Sequence, residues 1–213
     1  MLTRRDFLKA APGLGIAVGL GAKACTWQAQ KDTPVTVNDI HSQLNLTRVN
    51  RIVQPQSIEG LQAVVRSARA ENRPVSIAGG MHAMGSQQFG TSTILLDTRQ
   101  LNRVLNFDPD RGLVEVEAGI QWPELINYLI AKQQNQERQW GIIQKQTGAD
   151  RLCIGGALSA NVHGRGIHLK SIIGDVELFT LIDANGDIRT CSRQENYELF
   201  RLAIGGYGLF GVI

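Results

Sequence analysis

The chain has 213 residues, 43% of them hydrophobic, which is room for one domain or two small lobes around a real core. The formal charge of +3 sits in residues 1–24, where four basic side chains stand against one acidic one, and the remaining residues carry 18 of each sign. The body is therefore neutral and lacks the electrostatic footprint of a nucleic-acid or anionic-membrane binder.

The N-terminus reads as an export signal. "TRRDFLK" is followed by a modest apolar stretch over residues 10–22 and by Ala22-Lys23-Ala24, an A-x-A cleavage site. The stretch is too short and too rich in glycine to span a bilayer, so no transmembrane segment is expected. Arg4 and Arg5 ahead of Phe7 and Leu8 resemble a twin-arginine signal. That likeness implies a periplasmic or secreted protein exported already folded, a route used heavily by proteins that load a cofactor beforehand. Cys25 follows the cleavage site, but Lys23 suits a lipobox poorly and simple cleavage is expected.

Residues 25–44 are polar and patternless and read as a linker, with the domain running over 45–213. "RIVQP" is a short strand ended by Pro55. Ser57 then caps a helix with Ile58, Leu61, Val64, Val65 and Ala68 on one face. Pro74 opens the strand "VSIA", which runs straight into "GGMHAMGSQQ". "TILLD" is a third strand, and "LVEVEAG" alternates as a strand with one wet face. Pro123 starts a helix striped by Leu125, Ile126, Leu129 and Ile130, after Trp122, which reads as a core anchor. "KQQNQERQ" is a solvated helix end. After "IGGALSANVHGRG", two strands flank the hairpin signal "ANGD", and "ENYELFRLA" is helical.

Two glycine-rich loops carry the chemistry. The first lacks GxGxxG spacing and is no dinucleotide fingerprint. Glycine-permitted curls can converge backbone N–H groups into an anion nest, or they can be turns and nothing more. Gly79, Gly80 and Gly85 give that freedom around His82, and Gly155-Gly156 precedes "ALSAN", which can start a helix and add its positive end. Two nests in a neutral domain suit a diphosphate. Cys25, Cys153 and Cys191 have no C-x-x-C spacing, and His41, His82, His163 and His168 are scattered, so no metal site is expected. Cys153 and Cys191 read as buried thiols, His168 as a loop residue, and Asp175 with Glu177 as a solvated edge.

The order of these segments resembles the FAD-binding (PCMH-type) domain of the vanillyl-alcohol oxidase family. The likeness runs through "RVNRIVQPQSIEGLQAVVRSARAENRPVSIAGG", "LLDTRQLNRVL", "VEVEAGIQWPEL", "IGGALSANVHG", "SRQENYELFRLAIGG" and "FGVI", nearly all of residues 45–213. It implies an α+β fold of two lobes with FAD between them. Gly79, Gly80, Met81, His82, Ala83 and Met84 would cradle the pyrophosphate, and in many relatives the histidine at the place of His82 is bonded to the flavin 8α carbon. Gly155, Gly156, Ala160, Asn161 and His163 match the second flavin-contacting segment, with Val162 and His163 along the ring. Gly211, Val212 and Ile213 match the stretch that meets the adenine.

The family chemistry implied is oxidation of a CH–OH group, with hydride passing to flavin N5. The two glycine segments are most similar to the sugar-lactone and polyol branch. In that branch a second domain supplies most substrate contacts, and residues 45–213 resemble only the part before it. The expectation is thus the FAD-binding portion of an oxidoreductase whose small-molecule substrate and electron acceptor are met elsewhere, with a separately encoded cap domain as partner. The alternatives are a non-catalytic flavin-binding remnant and a nucleotide-binding module without flavin.

Overall fold

A computed structural model describes residues 32–213. The export signal, Cys25 and the first part of the expected linker lie outside them. Strand β1 (Val35–Val37) pairs antiparallel with β2 (Thr47–Val49), Val35 opposite Val49. Residues 32–44 therefore belong to the folded body, which corrects the linker reading at its C-terminal end. A three-residue strand with two exposed positions has no alternation to detect. Asp39, just beyond it, is buried and accepts from the His41 and Ser42 N–H groups at 2.9 and 2.6 Å and from Ser42 Oγ at 2.7 Å.

The first lobe is a parallel sheet in the order β3 (Arg51–Val53), β5 (Ile94–Asp97), β4 (Val75–Ala78). Helix α1 (Ile58–Ala70) connects β3 to β4. Ser57 Oγ accepts the Gly60 N–H at 3.1 Å, a cap contributing about 1 kcal/mol. Leu61, Val64, Val65 and Ala68 pack on Val53, Ile94 and Leu96, while Ile58, at the first helical position, stays exposed. Central β5 is buried along its whole length, as the continuous apolar run requires of a strand covered on both faces.

The second lobe starts with the hairpin β6 (Val104–Asp108) and β7 (Leu113–Val116). Helix α2 (Trp122–Lys132) follows, begun by a capping box in which Glu124 Oε2 accepts the Gln121 N–H at 3.2 Å. Trp122, Leu125 and Leu129 are buried with Phe179, Leu181, Cys191 and Phe200 in one core. Ile130, one residue past that face, is exposed. Helix α3 (Ile154–Ser159), the hairpin β8 (Leu178–Ile182) and β9 (Ile188–Ser192), and α4 (Tyr197–Ala203) complete the lobe. In the hairpin turn the Gly186 N–H donates to Asp183 O at 2.9 Å and Gly186 takes φ +78, which glycine alone adopts cheaply. The mixed architecture of two lobes is the α+β fold expected.

Two devices join the lobes. Gly186 O accepts from Gln62 Nε2 and Arg66 Nη2 of α1 at 2.7 and 3.0 Å, and Ile182 and Val212, tied to each other by two backbone hydrogen bonds, pack into the core formed by α1 and β5. Ahead of the joint, buried Glu117 accepts from Arg103 through Nη2 at 2.6 Å, Nε at 3.1 Å and the backbone N–H at 2.8 Å. Arg103 outweighs burial and holds the Glu117 carboxyl below its ordinary range. A depressed folded pKa contributes stability above the unfolded value of about 4.3 and loses it as pH falls through the lower folded value. Glu117→Gln is expected to cost about 1 kcal/mol at pH 7, small because Arg103 remains well exposed, and to flatten the loss of melting temperature between about pH 5 and 3. Thermal melts across that range check both statements.

Candidate cofactor site

The loop after β4 lies against the segment that leads into α3. A Cβ on Gly79 would stand 2.8 Å from Cys153 Cβ, and one on Gly80 would stand 2.6 Å from Arg151 O. Only glycines let the two backbones come so close. Met81 then takes φ +58, and the N–H groups of residues 81–84 find no acceptor among the described residues. A left-handed residue followed by unpaired amides is the geometry of an anion nest.

His82 is held at both ring nitrogens. Nε2 lies 2.9 Å from Arg151 O, and Nδ1 lies 2.8 Å from His41 Nε2. A carbonyl only accepts, so His82 carries its proton on Nε2, and His41 Nε2–H donates to the lone pair on Nδ1. Burial pushes the His82 pKa below the ordinary histidine value, which keeps the ring neutral at pH 7.

The opposite wall is α3. The sequence places a helix start after Gly155-Gly156, whereas the helix begins at Ile154 with Cys153 as its cap, and both glycines fall within its first turn. The cause is a bridge between Gln121 and Cys153 that starts the helix early. The Ile154 and Gly155 N–H groups donate to Ile120 O and Ala118 O at 2.9 and 2.7 Å, so they fasten the helix rather than face a ligand. Cys153 is buried with its pKa pushed up to about 11 by burial, which keeps it a protonated, inert thiol. Cys153 and Cys191 are both free.

Between these walls lies a cleft of about 200 Å³. Of the residues singled out in the sequence, Gly79, Gly80, Met81, His82, Ala83, Gly155, Gly156, Ala160 and Ile213 line it. Met84 projects outward and is 60% exposed. Asn161 turns its Oδ1 to the Ile173 N–H, and exposed His163 engages the neighbouring Gly164 carbonyl through Nδ1 at 2.8 Å. Val162 packs on the second core, and Gly211 and Val212 sit against Leu181 and Ile182 behind the cleft.

Sequence reasoning missed several contributors, among them Thr98, Ala118, Tyr207 and Gln88 in the cleft lining and His41 on the outer side of the loop. Gln88 lines the cleft, and both polar atoms of its amide are buried without a hydrogen-bond partner among the described residues. Its place in "GSQQ", directly after the glycine loop, was the available signal. His41 had none, because it lies in the stretch that reads as linker.

Over residues 49–192 the chain matches the family model described as FAD binding domain. The chain belongs to the FAD binding domain family. It is 33% identical to the L-gulonolactone oxidase of Bos taurus over 161 residues, 75% of this chain and 34% of that protein. It is 30% identical to the D-arabinono-1,4-lactone oxidase of Yarrowia lipolytica, covering 78% and 31%. It is 26% identical to the L-gulono-1,4-lactone dehydrogenase of Mycobacterium tuberculosis, covering 76% and 36%. The chain thus spans about a third of the length of the curated relatives it matches.

FAD is accordingly the cofactor of this domain. The cleft fits such a group: two glycine pairs line it, and among the described residues the loop amides are unpaired and the Gln88 amide lacks a partner that a ligand with donors and acceptors can supply. Among the described residues no helix is long and apolar enough to cross a membrane, and no group of three or more His, Cys, Asp or Glu is placed to hold a metal.

Proposed function

We propose that the cleft between residues 79–83 and α3 holds FAD for an enzyme that oxidises a CH–OH group of a sugar lactone or related polyol. The unpartnered Gln88 amide between two glycine-lined walls carries this reading. The amides of residues 81–84, free among the described residues, would receive the diphosphate; of the four glycines Gly156 faces open space, while Gly79, Gly80 and Gly155 let the walls pack closely against Cys153, Arg151 and Ala118. Gln88 would donate and accept at the ligand's polar edge. The flavin, when bound, supplies the hydride acceptor, and the chain's part is to seat it and exclude water around it. The substrate class is that of the lactone oxidases and dehydrogenases to which the chain is similar. Substrate contacts, the electron acceptor and a cap domain would come from outside the described residues.

His82 is the proposed point of covalent attachment, being the nucleophilic side chain on the cofactor loop, neutral at pH 7 with its lone pair on Nδ1. The paired arginines Arg4 and Arg5 and the A-x-A site support export of the loaded, folded protein to the periplasm by the twin-arginine route. Acid precipitation of the flavin-loaded chain tests the attachment. Flavin is expected in the pellet from the native chain and, with His82→Ala, in the supernatant. Equal retention of flavin by His82→Ala would assign the bond elsewhere.

A further inference from the structure

Residues 38–45 run as a strap along the outer edge of the cofactor loop. The Ile40 N–H donates to Met81 O at 3.1 Å, and Asn45 Nδ2 donates to Met84 O at 2.5 Å. Between these two anchors His41 reaches His82, with Nε2 2.8 Å from Nδ1 and the ring centroids 4.9 Å apart at 50°. His41 does not line the cleft, and its contact there is with the other imidazole.

The two contacts of His82 have different consequences. The bond to Arg151 O fixes the proton on Nε2 whether or not His41 is present, because the carbonyl can take no other role. His41 is therefore not needed to choose the tautomer. What it does is occupy Nδ1, the single nitrogen of the ring with electrons to give. Any bond to carbon at Nδ1 has to displace the His41 N–H, and Nε2 is closed by its proton and by Arg151.

We propose that His41 is a positioning residue that guards His82: it caps the nucleophilic nitrogen and must swing away before a covalent bond to the flavin forms, at Nδ1 and not at Nε2. The inference rests on the reading of His82 as the attachment point. The balance of the step is complete within the pair. The Nδ1 lone pair forms the new bond to the 8α carbon, and one methyl C–H bond breaks. The electron pair of that bond reduces the oxidised isoalloxazine, which is the oxidant, and the proton ends on the reduced ring. The imidazole keeps its Nε2–H as an imidazolium, with the charge directed at the Arg151 carbonyl that already accepts it. A guard of this kind keeps His82 from other electrophiles until a seated ring competes for its place.

The test follows acid-stable flavin with time after FAD is added to the full-length apo chain, for the native protein, His41→Ala and His41→Gln. His41→Ala is expected to attach flavin about 10-fold faster, since one hydrogen bond no longer has to be broken. His41→Gln, whose amide N–H restores a donor, should stay within about 2-fold of the native rate. Reversible FAD affinity should change by less than about 3-fold in both, because Ile40 and Asn45 still hold the strap. NMR of the flavin peptide should place the link on Nδ1. An unchanged or slower rate in His41→Ala, or a link on Nε2, overturns the guard while leaving attachment at His82 intact. FAD binding with no acid-stable flavin in any of the three overturns the attachment itself, and the guard with it.

Discussion

Gly119→Ala is expected to cost this domain about 3 kcal/mol or more, a large part of the roughly 5–15 kcal/mol by which native domains are stable. The added Cβ would lie 2.0 Å from Thr98 O and 2.6 Å from Leu101 O. Both are backbone atoms, so no side chain can rotate away, and the Gly119 N–H is itself bonded to Leu101 O at 2.8 Å. The site is the joint between the lobes: Thr98 follows the central strand of the first, and Ala118 follows the hairpin of the second. Thr98 and Ala118 also line the cleft, so any relief of the clash moves its floor. Denaturant unfolding of the variant, if it can be purified, measures the cost. A change under about 0.5 kcal/mol would mean that the joint is looser than described.

Gly80→Ala should act on the ligand more than on the fold. Its Cβ would meet Arg151 O at 2.6 Å and His82 Cδ2 at 2.7 Å. Relief on this surface loop is available by lifting residues 80–83 off the opposing segment, which breaks the His82–Arg151 hydrogen bond and re-aims the free amides. FAD affinity should fall about 10-fold or more, while unfolding free energy changes by about 1 kcal/mol. Gly148→Ala is the control, since its Cβ meets nothing within 4 Å and the residue lies outside the cleft. Equal FAD titrations for Gly80→Ala and the native chain would remove this loop from the site.

What the sequence disclosed follows from where burial leaves a period. The α1 stripe, the "VSIA" and "TILLD" strands, the "ANGD" hairpin and the first glycine loop carry local signals, and each stands where those signals put it. Strand β1 and β6 do not. β6 runs Val-Leu-Asn-Phe-Asp with no fully buried position, and a register shift between Val104 and Asn106 puts Val104 and Phe107 on the core and leaves Leu105 exposed, against the apolar–polar alternation. The start of α3 departs from the sequence signal for a similar reason: it lies against the tertiary bridge from Gln121 to Cys153 and takes both glycines into its first turn. In the site itself, residues within the glycine loops were legible as types that permit close approach. His41 was not, because it reaches His82 from 41 positions away, and distance in sequence hides a pair that only folding creates.

The proposed function requires that the cleft between the Gly79-Gly80 loop and α3 bind FAD. The most direct measurement is an absorption-monitored titration of the folded apo chain with FAD, alongside Gly80→Ala. A saturable 1:1 complex with a perturbed flavin spectrum, weakened about 10-fold or more by Gly80→Ala, is the result expected. A chain that is folded by circular dichroism and leaves the flavin spectrum unchanged at saturating FAD would contradict it.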